Sequence, residues 1–337
     1  MPRPWGLLAC AFLIGSLLIG LGVGPLGIGV TGIVESALSH VPFLHMHSPL
    51  SSLQEGVLWQ IRAPRVVLAA IVGGMLAVAG SSYQGVFHNP LADPYLLGVA
   101  AGSGLGATFA IVYAHVGTDG QLLPLAAFVG GLTAVAAAYV LGRSAGSVRA
   151  AGALVLAGLT VTLFFTAIQT FVQQQHTNTL RDVYSWLLGG FSTATWGQVA
   201  VAAPYIAVSS VAIVLHRRVL DVLSVGDEEA ASLGVNVSRL RLAIVIAATA
   251  GTAAAVAVSG LIAFVGIIVP HTIRLLVSTS YRAVVPLSLV VGAGFLVLAD
   301  VLARTIISPA ELPIGVVTAF FGAPFFAIVL RTSRSMR

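Results

Sequence analysis

Apolar residues in this chain do not recur with the three- to four-residue period of a helix lying on a soluble core. They run on without charge for stretches of about twenty residues, the length a helix needs to cross the hydrocarbon of a bilayer. Such stretches fall at 5–26, 65–87, 95–114, 122–141, 150–172, 199–215, 242–258, 261–276, 283–302 and 314–330, with the polar residues gathered in the gaps. The pattern predicts an all-α polytopic membrane protein of about ten transmembrane helices, forming one domain over 1–337. Backbone that leaves water must bond to itself, and helices achieve this within a single segment.

One stretch is ambiguous, because residues 242–273 carry no charge over 32 positions and read as one long helix or two short ones. The arginines decide it. With two crossings and a cytoplasmic N-terminus, Arg3, Arg143, Arg149, Arg217, Arg218, Arg239, Arg241, Arg274, Arg282, Arg331, Arg334 and Arg337 fall inside, and only Arg62, Arg65, Arg181 and Arg304 outside. With one crossing the bias disappears, against the rule that basic residues collect in cytoplasmic loops. Ten helices with both termini cytoplasmic follow. Gly260, Gly266 and Pro270 are the residues suited to break the stretch. The gap from Gly27 to Gln60 is the only connection long enough to fold into something of its own.

Composition agrees: 58% of the chain is hydrophobic and 8% charged, far below the quarter or so that a soluble surface needs. The formal charge of +5 comes from sixteen arginines and no lysine. Without lysine there is no GxxxxGK[ST] phosphate loop and no Schiff-base chemistry, so an ATP-driven process would place the nucleotide on another subunit. Scattered arginines do not make the basic stripe that nucleic acid requires. The single cysteine, Cys10, excludes an internal disulfide and a thiolate metal cluster. "LLAC" before it looks like a lipoprotein cleavage box, but the apolar run continues past it and Cys10 reads as an ordinary helix residue.

Small residues crowd the spans in "GGMLAVAG" (Gly73 to Gly80), "GVAAGSGLGA" (Gly98 to Ala107) and "AATAGTAAA" (Ala247 to Ala255), as close helix packing in lipid demands. The Gly102, Gly104, Gly106 spacing follows no strand and is read as packing, not as a nucleotide loop.

Ionisable residues inside spans are Asp300 and Arg304, spaced to satisfy each other one turn apart, and His271 and Arg274. His40, His45 and His47 read as a solvated loop, and no metal site is expected. Ser82 and Gln84 end the second span, while Thr162, Thr166, Gln169 and Gln173 form a polar stripe on the fifth. Such side chains either bond neighbouring helices or line a conduit. Asp227, Glu228 and Glu229 stand together between two arginine pairs. They suit the first turn of a short helix, with Ala230, Leu233 and Gly234 offering a small apolar face to a partner.

"IRAPRVVLAAIVGG…SSYQGVFHNPLADPYLLG" from Ile61, "SWLLGGFSTATW" (Ser185 to Trp196), "SGLIAFVGIIVPHTIR" (Ser259 to Arg274) and the block from Leu298 to Phe326 resemble the permease subunits of type II ABC importers for iron-siderophores, haem and cobalamin. The resemblance runs from about residue 55 to the C-terminus. It implies a ten-helix permease in the inner membrane of a bacterium, paired with a second copy or a homologous permease around a central path. Two cytoplasmic ATPases would carry the ATP and magnesium, an extracytoplasmic binding protein would deliver the cargo, and this chain would hold no cofactor and catalyse nothing itself. By the same resemblance, Arg62, Arg65 and Arg304 would meet acidic residues of the binding protein. Asn89 and Leu91, with Ala151 and Gly152, would form cytoplasmic gates, and residues 219–240 would be the ATPase-coupling loop. "STSYR" (Ser278 to Arg282) departs from the family, which often carries Gly, Asp and His there. The implied cargo is an iron-siderophore or haem, with cobalamin as the alternative. An intramembrane protease would need a buried Ser/His, paired Asp or HExxH arrangement, and an ion-coupled carrier mid-depth carboxylates and inverted repeats; the sequence offers neither set.

Overall fold

In a computed structural model, residues 3–41, 48–117, 120, 122–144, 151–234 and 236–334 are described. His45, His47 and Arg149 lie outside them. The helices are α1 (Arg3–Gly22), α2 (Val30–Ser39), α3 (Ser52–Gly56), α4 (Ala63–Val86), α5 (Val99–Tyr113), α6 (Leu122–Ser144), α7 (Ala151–Gln175), α8 (Leu180–Leu187), α9 (Trp196–Leu215), α10 (Arg217–Leu223), α11 (Asp227–Ser232), α12 (Val237–Ser259), α13 (Val265–Leu276), α14 (Tyr281–Thr305) and α15 (Ile314–Arg334). A π-helical stretch, Val57–Arg62, joins α3 to α4.

Seven of these are long and apolar enough to cross a membrane, and α5, α13 and the apolar part of α15 are shorter. The seven and these three coincide with the ten stretches read from the sequence, and a fourth short apolar helix, α2, lies in the connection between the first two. The outer connection folds into α2 and α3. We call the end bearing Arg217, Arg218, Arg239 and Arg241 the inner end, and the end where α1 stops and α4 begins the outer end.

The ambiguous stretch is two helices. The break lies at Gly260 (φ 66°), continues to Phe264 (φ 70°), and leaves Gly266 and Pro270 inside α13. Gly260 is required because a Cβ there would run into the Trp186 carbonyl. The open backbone between α12 and α13 is answered by protein: the Ile262 N–H donates to the Tyr95 hydroxyl at 2.9 Å, and that hydroxyl donates to the Ile262 carbonyl at 3.0 Å. Irregular backbone in an apolar phase survives only when it is bonded in this way.

At the centre is α4, buried on almost every side by α14, α12, α13 and α9. Its small residues are where the partners come closest. Gly73 faces Gly292 of α14, and Gly80 faces Gly266 of α13, so closely that a Cβ on Gly80 would strike the Gly266 backbone. Gly102 and Gly106 of α5 likewise sit on Gly130 and Ala126 of α6. The three small-residue runs are packing surfaces, as expected. Gly80→Ala is therefore expected to cost about 1–3 kcal/mol, the range for overpacking a tight contact. Thermal unfolding in detergent measures it, and an unchanged midpoint would mean that α13 withdraws freely.

By contrast, α7, α9 and α15 present large apolar side chains outward: Leu163, Phe164 and Phe171, Val208 and Leu215, and Phe320 and Ile328 are all exposed. An open apolar groove of about 460 Å³ adjoins this surface between Leu188, Leu261, Val316 and Phe320.

Candidate functional site

The outer end is organised by arginine. Arg65 grips Asp300 with Nε and Nη2, at 2.8–3.1 Å, and Glu311 with Nη1 and Nη2, at 2.8 and 3.0 Å. Arg62 donates from Nη1 to the carbonyls of Leu21 and Gly22, at 2.9 and 3.1 Å, and from Nη2 to Leu26. It thereby answers the open C-terminal carbonyls of α1. Arg304 donates to the Gly20 carbonyl, and its Nε stands 3.8 Å from Asp300 without a hydrogen bond.

One expectation is corrected here. Asp300 is chiefly the partner of Arg65, not of Arg304, because the bidentate fork from α4 reaches it more directly than the neighbour one turn on. Arg62, Arg65 and Arg304 are not exposed at the outer surface: Arg62 and Arg65 are 4% and 8% exposed, and all three are spent on intramolecular acceptors. The missed residue is Glu311, in the turn before α15. Its signal was present, as one of only eleven acids and close in sequence to Asp300 and Arg304.

At the inner end, the turn after α4 places Asn89 and Leu91 together at the surface. The Asn89 side-chain oxygen accepts from the Leu91 N–H at 2.9 Å, and the Asn89 carbonyl accepts from the Ala92 N–H at 3.0 Å, which fixes the turn. Burial pushes the Asp93 carboxyl up to about 6, against the N–H of Tyr95 that its oxygen accepts. Gly152 opens α7 with nothing near where its Cβ would lie, and the side chain of Ala151 is outside the described residues.

Gln84 does not line a conduit within this chain. It is 2% exposed, and its Nε2 donates to the carbonyls of Ala92 (3.3 Å) and Gly266 (3.0 Å) while its Oε1 accepts from Arg274. Arg274 lies over the Tyr281 ring, 5.3 Å from its centre. The Tyr281 N–H and the Ser280 hydroxyl donate to Asp221 of α10, and the ring nitrogen of His88 meets the carbonyl of Leu223. The surface turn is thus tied directly to α10 by His88, and to α13 through Gln84, which bonds both. Ser82 is likewise buried, its hydroxyl turned back on Ala79 at 2.8 Å.

The stripe on α7 divides. Thr166 is exposed, whereas Gln169 and Gln173 are buried, with Gln169 packed over Gly104 of α5. These two glutamines face the protein, as buried amides in an apolar phase must.

In the acidic segment, α11 begins at Asp227, with all three acids in its first turn beside its positive end. Asp227 pairs with Arg241 of α12 through both carboxylate oxygens at 2.9 Å. Ala230 is fully buried, so the expected apolar face needs correction: Ala230 packs α11 onto its own bundle, because the Asp227 pair turns that side inward. The exposed apolar residues are Leu233 and Val225, at 72% and 71%, and Gly234 is open with φ +82°. Among the described residues no group of histidine, cysteine and acids could hold a metal ion.

The model of the FecCD transport family matches residues 12–332. The cobalamin import system permease of Halobacterium salinarum is 35% identical, covering 97% of this chain and 95% of that protein. The hemin transport system permease of Yersinia pestis is 36% identical, covering 82% of this chain and 84% of its own. Among solved structures, a metal-chelate type ABC transporter in an inward-facing conformation superposes with a TM-score of 0.85 at 29% identity, over 98% of this chain and all of that one.

Proposed function

Because this chain belongs to the FecCD transport family and is the permease subunit of an ABC importer, we propose that it carries a metal chelate of the iron-siderophore or haem class inward. Cobalamin, itself a cobalt chelate, is the second reading, favoured by the Halobacterium relative. The working assembly we propose is two permeases in the inner membrane of a bacterium, two ATPases at the inner end, and a binding protein at the outer end. The ATP and magnesium belong to the ATPases. The exposed apolar surface of α7 and α15 and the groove beside it suit a second copy and the path between the two.

The observation that carries the coupling is the pair Val225 and Leu233, two large apolar side chains held out from the inner end on either side of α11. Apolar side chains projecting beyond the bilayer beside a short helix suit the groove of a partner protein. Asp227 and Ala230 hold α11 to the bundle so that a push on Leu233 reaches α10 and α12. Asn89 and Leu91, with Ala151 and Gly152, are then the gates such a push moves.

At the outer end, acidic residues of the binding protein reach the Arg65 guanidinium by displacing Glu311, whose side chain is 40% exposed against 10% for Arg65. Arg62 and Arg304 hold the end of α1 in place for that exchange.

Leu233→Glu is expected to abolish co-purification of the ATPase and, in proteoliposomes, ATP-driven uptake of the iron chelate, with the permease still folded. Uptake by this chain alone, driven by an ion gradient, would overturn the reading.

A further inference from the structure

Charge at the inner end does not balance locally. Arg65 and Arg241 are paired with carboxylates, Arg304 lies within reach of one, and Arg62 is answered by three carbonyls. Among the described residues Arg274 has only neutral partners: the Gln84 oxygen, the Tyr281 hydroxyl and the face of that ring. Its Nη2 is buried and has no hydrogen-bond partner among the described residues. A guanidinium N–H removed from water with nothing to donate to carries a desolvation cost, and a cation without a counter-charge adds to it.

Beside it lies a cavity of about 210 Å³, lined by Gln84, His88, Pro90, Ser224, Arg274 and Tyr281, with no acid among its lining residues. Asp221, the carboxylate that bonds the Tyr281 N–H, is also held by the Ser280 hydroxyl and Arg282. The cavity therefore offers the Arg274 guanidinium to something negative, while the Ser224 hydroxyl already donates to the Asp221 carbonyl and the His88 ring nitrogen is set against the Leu223 carbonyl. It opens where α4, α10, α13 and α14 meet at the inner end.

We infer that this cavity binds a phosphate-type oxyanion, with Arg274 as its principal ligand. Guanidinium forks suit tetrahedral oxyanions. Such an anion would touch the turn after α4 on one side and the end of α10 on the other, fastening the two together. The site stands independently of the proposed cargo, since its residues belong to this chain alone.

The shared chemistry admits two sources, free inorganic phosphate and the phosphate of an anionic lipid. The test uses the full-length permease, purified without phosphate. Binding of inorganic phosphate is measured by calorimetry. Thermal stability is then compared in nanodiscs of phosphatidylglycerol and of phosphatidylcholine.

Saturable phosphate binding identifies the free ion, and stabilisation by phosphatidylglycerol alone identifies the lipid; either supports the site. Arg274→Gln is expected to weaken the response at least about tenfold, as loss of one partner of a buried charge pair does. If that variant does not fold, Ser224→Leu, an exposed position at the end of α10 that would fill the cavity mouth, is expected to give the same loss. No response to either probe, or a wild-type response in the variant that folds, would overturn the site.

Discussion

Asp300→Ala is expected to lower stability by about 3–5 kcal/mol, the cost of stranding one member of a buried ion pair. Asp300 is 1% exposed and receives three hydrogen bonds from Arg65. Without it, Arg65 keeps only Glu311, whose half-exposed carboxylate is screened by water and returns little. The loss falls between α4 and α14, the most extensive helix contact in the fold along with that of α5 and α6. Arg65→Met combined with Asp300→Leu removes both charges and is expected to recover most of the stability, since apolar replacement of a whole buried pair is often neutral. Detergent unfolding of the two variants checks this. If Asp300→Ala melts like the wild type, the glycine contacts alone hold α4 to α14.

Gln84→Leu is expected to reduce cargo moved per ATP hydrolysed by about tenfold, within the range of ordinary coupling free energies. Leucine is near the same size but apolar, and it removes the bonds to Ala92 and Gly266 and from Arg274. The surface turn bearing Asn89 and Leu91 then loses its tie to α13, while the contact proposed between Leu233 and the ATPase is untouched. Hydrolysis thus continues and transport lags. The measurement is uptake and phosphate release in the same proteoliposomes. Equal losses in both would show that Gln84 supports folding rather than transmission.

The crossings were legible because hydrophobic length is a local property, and the arginine count resolved the one ambiguous stretch. Gly260 was legible as a breaker for the same reason. Gly266 and Pro270 were not placed correctly because their roles are set across the bundle: Gly266 is where Gly80 lands, and no pattern within 242–273 refers to Gly80. Gln84 has the composition of a channel-lining residue and the position of a brace, and only the tertiary contact separates the two. The same holds for Asp300, whose neighbour in sequence is Arg304 but whose partner in space lies 235 residues away. Ala230 was expected on an outward face because the helix was read without Arg241, which turns it.

The burial of α4 has a consequence for how the chain is made. Synthesis delivers α4 long before α9, α12, α13 and α14, which supply its cover. Until then Gln84 and Arg65 stand in lipid or against the insertion machinery with their eventual partners unmade. The finished protein is thus assembled back onto an early helix, and the last of those partners to be made are Asp300 and Glu311, both bound by Arg65. A chain halted before α14 carries an unpaired Arg65, which marks it as incomplete to any protease that samples the membrane.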